Sequence, residues 1–222
     1  MLHKAVIFDL DGTLLDSMNV WHETDERFLA EKNCVIPEDF SKSVQTLSID
    51  EAADYFIRRF NLNNLTREYV SHRIEELVSN EYSSNLQLKP YALETLGMLK
   101  KAGIPCCIAT ATYPSLVNAA ADRLHLTDYV DFILTCDEVG ESKCSPKIFF
   151  ECAERFGVKP DEVIVVEDSL HAIETAVAAG FFTVSIDDDF SEPERERIYK
   201  LSDFNAQDLR GFSDFIRNTE NI

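Results

Sequence analysis

Short apolar runs alternate with longer segments of mixed polarity through most of the chain. A continuous apolar run between polar residues is typical of a buried strand, whereas apolar residues spaced three and four apart indicate a helix. We therefore expect strands at about 5–8, 104–109, 131–135, 163–166 and 181–186. They are separated by helical patterns at about 92–101, 114–124, 145–156 and 170–179. Strands separated by helices predict an α/β fold with a parallel sheet and right-handed crossovers.

Residues 17–87 break this alternation because they predict only helices, at about 18–32, 50–59 and 66–83. We interpret 17–87 as an inserted all-helical domain, and residues 1–16 and 88–222 as the α/β core. The two connections, near 15–19 and 84–90, would then form a pair of hinges.

The end of the chain is more polar than the rest. From Asp187 onward we expect no further strand and helix at most. Its acidic run, Asp187-Asp188-Asp189, is interpreted as a solvated loop and not as a metal site.

Composition narrows the classes of partner. The 222 residues carry 40 acidic and 21 basic side chains, a net charge of −19. So acidic a chain is not expected to bind nucleic acid or an anionic membrane, since both are negatively charged. No apolar run approaches the length of a membrane span, and the early position of the first strand leads us to expect no signal peptide. The six cysteines show no Cys-x-x-Cys spacing, so we expect a cytoplasmic protein, monomeric or dimeric, without zinc.

The first strand ends in two carboxylates, Asp9 and Asp11, followed by Gly12. The carboxyl ends of the strands form the ligand-binding crevice of an open α/β sheet, so both residues are expected at the mouth of a site. Side chains alternate along an extended strand, and the two carboxylates can therefore point the same way. Such a pair attracts a divalent cation, shares a proton, or does both.

Three later segments place polar residues at strand ends or in the loops after them. Residues 110–112 (Thr-Ala-Thr) offer hydroxyl and N–H groups to a phosphate oxygen, or simply cap the next helix. Lys143 precedes a helix and can reach back over the strand ends, or remain an exposed lysine. Glu167 and Asp168 directly follow a buried strand. Like charges gathered there are destabilising unless a cation compensates them, which favours a metal site.

This order of acid pair, hydroxyl, lysine and acid pair resembles the four motifs of the haloacid dehalogenase superfamily, in its phosphatase and phosphomutase branch. The specific parts are Asp-Leu-Asp-Gly-Thr-Leu-Leu-Asp-Ser at 9–17 and Val-Glu-Asp-Ser-Leu-His-Ala-Ile at 166–173. The resemblance implies a Rossmann-like core, with residues 17–87 as the helical C1 cap. The dehalogenase branch does not keep the second aspartate, so Asp11 favours phosphoryl chemistry.

The resemblance also implies roles for single residues. Asp9 would be the nucleophile that attacks phosphorus and becomes an aspartyl-phosphate. Asp11 would protonate the leaving alcohol and then activate water. Thr110 and Lys143 would bind the transferring phosphoryl oxygens. The Mg²⁺ ligands would be Asp9, the Asp11 carbonyl oxygen, Glu167 and Asp168. The candidate substrate-binding residues are Ser17, Trp21, His22, Ser48, Ala111 and Thr112.

Two motifs depart from the family pattern. Lys143 stands in Ser-Lys-Cys-Ser-Pro where Gly-Lys-Pro is usual, and Ala172 stands where the fourth motif usually has glycine. These departures affect loop geometry and substrate fit, but they remove no catalytic group.

We expect a phosphatase that acts on a small phosphate ester, such as a sugar phosphate. The alternative is a sugar phosphomutase of the β-phosphoglucomutase type. Such mutases carry a cap arginine after a serine to hold a second phosphate, and here Ile49 follows Ser48. A phosphonate hydrolase would need Lys42 or Lys32 in the site. A catalytically idle binding protein is disfavoured by the intact catalytic groups, and the roles of His22 and Tyr113 stay open.

Overall fold

The strands form a single parallel sheet. The computed structural model describes residues 3–37, 40, 44 and 47–220. Within them the strands are β1 (Ala5–Phe8), β2 (Cys106–Thr110), β3 (Phe132–Thr135), β4 (Val163–Glu167), β5 (Phe182–Ile186) and β6 (Phe204–Ala206). All pairings are parallel, in the order β3-β2-β1-β4-β5-β6. The predicted α/β fold is confirmed, and β1 lies between β2 and β4.

Helices fill most of the remaining chain. They are α1 (Met18–Glu31), α2 (Ile49–Arg59), α3 (Arg67–Asn80), α4 (Ala92–Ala102), α5 (Pro114–Arg123), α6 (Cys136–Val139), α7 (Lys147–Phe156), α8 (Leu170–Ala178), α9 (Arg195–Leu201) and α10 (Leu209–Glu220). Short 3-10 turns span Leu126–Asp128, Pro160–Glu162 and Glu192–Glu194. The helix expected over 66–83 ends earlier and continues as a π-helical turn, Glu81–Asn85. None of the helices in the described ranges is long and apolar enough to cross a membrane.

The apolar core lies on both faces of the sheet. Successive side chains of a strand point to opposite faces, so Val6 and Phe8 belong to one apolar cluster and Ala5 and Ile7 to the other. The first cluster continues into the insert, where it includes Phe28. The insert and one face of the sheet therefore share a core, and the division into two domains stays a prediction.

The expectation of no strand after Asp187 is wrong. β6 has only three residues, too few to show a period, and it pairs with β5. After it, α10 packs an apolar face on the sheet, where Phe212 is fully buried and meets Phe8 edge-on at 5.7 Å between ring centroids. The tail is therefore part of the core.

The acidic run is not uniformly solvated either. Asp188 is only 8% exposed, and its carboxylate accepts a hydrogen bond from Lys89 Nζ at 2.7 Å. The interpretation as a solvated loop is wrong for Asp188, because an ion pair with a lysine 99 positions earlier keeps it buried. Asp189 is exposed as expected.

Replacing Phe212 by Ala should lower the free energy of unfolding by about 3–5 kcal/mol, because the change leaves a cavity in the core. Phe150→Ala is the matched control, since Phe150 is 43% exposed and should lose less than half as much. Chemical denaturation measures both values. Equal losses would show that α10 is not part of the cooperative core.

Candidate active site

Four buried charged side chains meet where β1 and β4 end. The Asp9 N–H donates to the Val166 carbonyl oxygen at 2.9 Å, which sets Asp9 beside the end of β4. One carboxylate oxygen from each of Asp9, Glu167 and Asp168 lies within 4.8 Å of the others. These three residues and Lys143 are at most 7% exposed. The fold thus brings together the acid groups and the lysine that lie far apart in the sequence.

Lys143 is the positive member of this cluster. Its Nζ donates to Asp9 Oδ1 and, at 2.5 Å, to Glu167 Oε1. Burial lowers the pKa of Lys143, but the carboxylates of Asp9 and Glu167 outweigh burial and raise that pKa above its usual range. The ammonium group is therefore charged and holds the two carboxylates together.

One lysine does not balance three acids. Burial, followed by the charge of Glu167, raises the pKa of Asp9 well above its ordinary value. Burial and Glu167 likewise raise the pKa of Asp168. The cluster therefore disfavours its own full ionisation. Carboxylate oxygens are the ligands that divalent cations such as Mg²⁺ prefer, so this donor set fits such an ion.

Backbone geometry allows the carboxylates to come this close. Gly12 has a φ of +86°, and a Cβ built there would lie 2.5 Å from Asp168 Oδ2. Any other residue at this position would displace the Asp168 side chain and strain the turn. The Glu167 Oε2 atom accepts hydrogen bonds from the Asp168 N–H at 3.2 Å and the Ser169 hydroxyl at 3.0 Å.

The carboxylate of Asp11 is held by three hydroxyl groups. Ser17 Oγ donates to it at 2.6 Å, Thr112 Oγ1 donates at 2.7 Å, and the Tyr82 hydroxyl donates as well. Trp21 Nε1 donates to the same Tyr82 oxygen at 2.8 Å. Ser17 precedes α1 and Tyr82 lies in the turn after α3. Asp11 is therefore contacted by Ser17, at the first connection of the insert, and by Tyr82, just before the second.

A cavity of about 170 Å³ lies between the insert and the core. The predicted site residues that line it are Asp9, Asp11, Trp21, His22, Ser48, Thr110, Ala111, Thr112, Lys143 and Asp168. Ser17 and Glu167 are buried and do not line it. Most of the predicted residues thus surround one cavity. Ser17 and Glu167 do not reach it, but they bind Asp11 and Lys143, which line it.

Three side chains considered for contact with the substrate are also in contact with other protein groups. Ser48 lines the cavity, but its hydroxyl also forms the capping box of α2 with Glu51. The His22 ring lies 3.2 Å from the Glu26 carboxylate. Tyr113 does not line the cavity, and its hydroxyl donates to Asp50 at 2.6 Å.

The two lysines considered for a phosphonate hydrolase receive no support. Lys32 does not line the cavity and donates to the Tyr69 hydroxyl at 3.0 Å. Lys42 lies outside the described residues.

Two polar residues of the insert, one lining the cavity and one contacting Asp11, are missing from the sequence-based predictions. Asp25 lines the cavity and is 9% exposed. It follows Trp21 by one helical turn, and this spacing could have placed it on the same face. Tyr82 contacts Asp11 from the π-helical turn, and no local pattern marks it.

Comparison with known proteins points to one family of hydrolases. A family model described as haloacid dehalogenase-like hydrolase matches residues 3–180. A phosphorylated carbohydrates phosphatase from Thermotoga maritima is 28% identical over 177 residues, covering 80% of this chain and 82% of that protein. Hexitol phosphatase B from Escherichia coli K12 is 23% identical and covers 93% of this chain and 96% of that protein.

Solved structures show the same architecture. The crystal structure of β-phosphoglucomutase from Clostridium difficile has a TM-score of 0.83 at 20% identity, covering 99% of this chain and 97% of that one. At this identity the similarity establishes the fold alone. The family match spans most of the chain, including all four motifs. The chain therefore belongs to the haloacid dehalogenase-like hydrolases, which confirms the resemblance found in its motifs.

Proposed function

We propose that the protein is a phosphatase that releases inorganic phosphate from a small phosphorylated metabolite, with sugar and polyol phosphates as the substrate class. The observation that carries the proposal is the buried cluster of Asp9, Glu167, Asp168 and Lys143 beside the cavity. The names of the relatives support it, since they are phosphatases of phosphorylated carbohydrates and of hexitols.

The excess of negative charge in the cluster supports a metal ion as cofactor. Three acids and one lysine would repel a phosphate group. Asp9, Asp168 and Glu167 would hold a divalent cation, for which we propose Mg²⁺, with the Asp11 carbonyl oxygen as a further ligand. When bound, this ion supplies positive charge to the phosphoryl oxygens. Lys143 and Thr110 would contact the same oxygens from the cavity wall.

Two displacement steps account for hydrolysis. In the first, a carboxylate oxygen of Asp9 attacks phosphorus, the bond from phosphorus to the ester oxygen breaks, and Asp11 gives its proton to that oxygen. In the second, Asp11 takes a proton from water, whose oxygen attacks phosphorus and releases Asp9. Lys143 holds Asp9 in position in both steps. Phosphate leaves and both aspartates return to their starting states.

The cavity favours a phosphatase over the phosphomutase alternative. A mutase must hold a second phosphate group on the side of the insert. Among the described residues of the insert, no Lys or Arg lines the cavity. The similarity to a β-phosphoglucomutase structure concerns the fold and does not supply such a group.

Asp9→Asn should lower phosphate release at least ~10³-fold, because a carboxamide is a poor nucleophile. The exposed Asp161 provides the matched control, and Asp161→Asn should keep wild-type activity. Thermal unfolding shows whether both variants stay folded. If the folded Asp9→Asn variant retained turnover, the assignment of Asp9 as the nucleophile would be refuted.

Removing divalent cations with a chelator should stop phosphate release, and added Mg²⁺ should restore it. Mg²⁺ should also raise the Tm of the wild type, because it binds only the folded cluster and relieves repulsion there. Asp168→Asn should weaken that rise. Full turnover in excess chelator would contradict the assignment of the metal.

Tyr82→Phe removes one hydroxyl donor from Asp11 while the aromatic ring remains. If Tyr82 positions the Asp11 carboxyl group, kcat for an alkyl phosphate should fall about tenfold with little change in KM, because one hydrogen bond that orients Asp11 is lost. Para-nitrophenyl phosphate should be affected less, because its leaving group needs less protonation. Tyr113→Phe is the control, since the Tyr113 hydroxyl binds Asp50. Equal losses for both esters would argue against positioning.

A further inference from the structure

Asp25 brings a carboxylate to the part of the cavity that the insert forms. It lies on α1 and lines the same space as the catalytic candidates Asp9 and Asp11. Only 9% of the residue is exposed. Neither the motifs of the family nor the proposed displacement steps give this carboxylate a role.

The Asp25 carboxylate has no protein partner among the described residues: it accepts no hydrogen bond and joins no ion pair. The same residues contain no fully enclosed side-chain oxygen without a partner, so the oxygens of Asp25 reach the cavity. Burial alone raises the pKa of Asp25 to about 7. A carboxyl group with so little contact with solvent and no protein partner is poorly stabilised, and a ligand that brings a hydrogen-bond donor would stabilise it.

The side chains around Asp25 limit the kind of ligand that it can bind. The other described side chains that the insert contributes are mostly apolar, including Met18, Leu47, Ile49, Ala52 and Ile74. No Lys or Arg from the described part of the insert lines the cavity. A second phosphate or a carboxylate on the substrate would therefore meet a like charge. A hydroxyl group would donate to Asp25 while its carbon chain packs on the apolar wall.

We infer that Asp25 binds a hydroxyl group of the leaving alcohol, so that the insert selects esters of neutral polyols and sugars over esters with a second anionic group. This inference rests on the proposed phosphatase function. An ammonium group could also pair with a carboxylate. The insert's part of the wall, however, offers a single acid among mostly apolar side chains, and its other polar groups include His22 beside Glu26 and Ser48 in a helix cap. This lining suits a neutral chain with hydroxyl groups better.

The test compares kcat/KM for sorbitol 6-phosphate, phosphoglycolate, phosphoethanolamine and para-nitrophenyl phosphate. The wild type should prefer sorbitol 6-phosphate over phosphoglycolate and phosphoethanolamine. Asp25→Ala should lower kcat/KM for sorbitol 6-phosphate about 10- to 100-fold, mainly through KM, because it loses a hydrogen bond to a charged group. Para-nitrophenyl phosphate, which carries no hydroxyl group, should change less than about twofold.

Asp25→Asn separates charge from hydrogen bonding. The carboxamide still accepts a hydrogen bond but no longer repels an anion, so activity on phosphoglycolate should rise relative to sorbitol 6-phosphate. Glu23→Gln is the control, because Glu23 is exposed on the same helix and should leave the preference unchanged. The Tm of Asp25→Asn should equal or exceed that of the wild type, since an unpaired buried charge is gone.

The outcomes distinguish the two proposals. If the wild type releases no phosphate from any ester, the proposed function is wrong, and the inference about Asp25 is wrong as well because it rests on that function. If it hydrolyses the esters, equal effects of the Asp25 variants on all four, or no effect, would overturn the inference alone. A preference for phosphoethanolamine that Asp25→Ala abolishes would also overturn it, in favour of an amine site.

Discussion

Enclosed negative charge is the constraint on which this structure depends. Three carboxylates and one ammonium group are buried where β1 and β4 end. Such a group of like charges is tolerated only if opposite charge is close by and the surrounding backbone holds it in place. Lys143 supplies part of that charge, and Gly12 leaves the space that Asp168 occupies. The pairing of β1 with β4 brings Asp9 to the end of β4.

The insert adds the groups that a leaving alcohol would meet. Ser17 at the first connection of the insert and Tyr82 just before the second donate hydrogen bonds to Asp11, so the geometry of the proposed acid depends on how the insert packs. Asp25 brings to the same cavity a carboxyl group that has no protein partner among the described residues. A buried group that lowers the stability of the fold is typical of functional sites, because such a group is retained for binding. In the proposed function the core would therefore supply the phosphoryl chemistry, and the insert would select the leaving alcohol.

The core of this site could be predicted from the sequence because its residues follow strands. Asp9, Thr110 and Asp168 each lie at a strand end or directly after one, and parallel strands bring their carboxyl ends to one edge. Lys143 was recognisable only by its place in the order of motifs. Tyr82 and Asp25 depend on how the helices of the insert pack, and single-sequence patterns do not contain that packing.

The wrong predictions for the residues after Ile186 have a similar physical cause. β6 is three residues long, so alternation cannot show in it. The burial of Asp188 depends on a lysine distant in the sequence. Long-range pairs of this kind leave no local pattern in the sequence, whereas the continuous apolar runs of β1 and β4 do.

The nucleophilic role of Asp9 is tested most directly by acid-quenching the Asp11→Asn variant during reaction with para-nitrophenyl phosphate. This ester needs little protonation of its leaving group, whereas the second step would lack the base that activates water. Mass spectrometry should then find one phosphoryl group on the peptide that contains Asp9. Para-nitrophenol release by this variant without a phosphorylated Asp9 peptide would contradict the covalent intermediate.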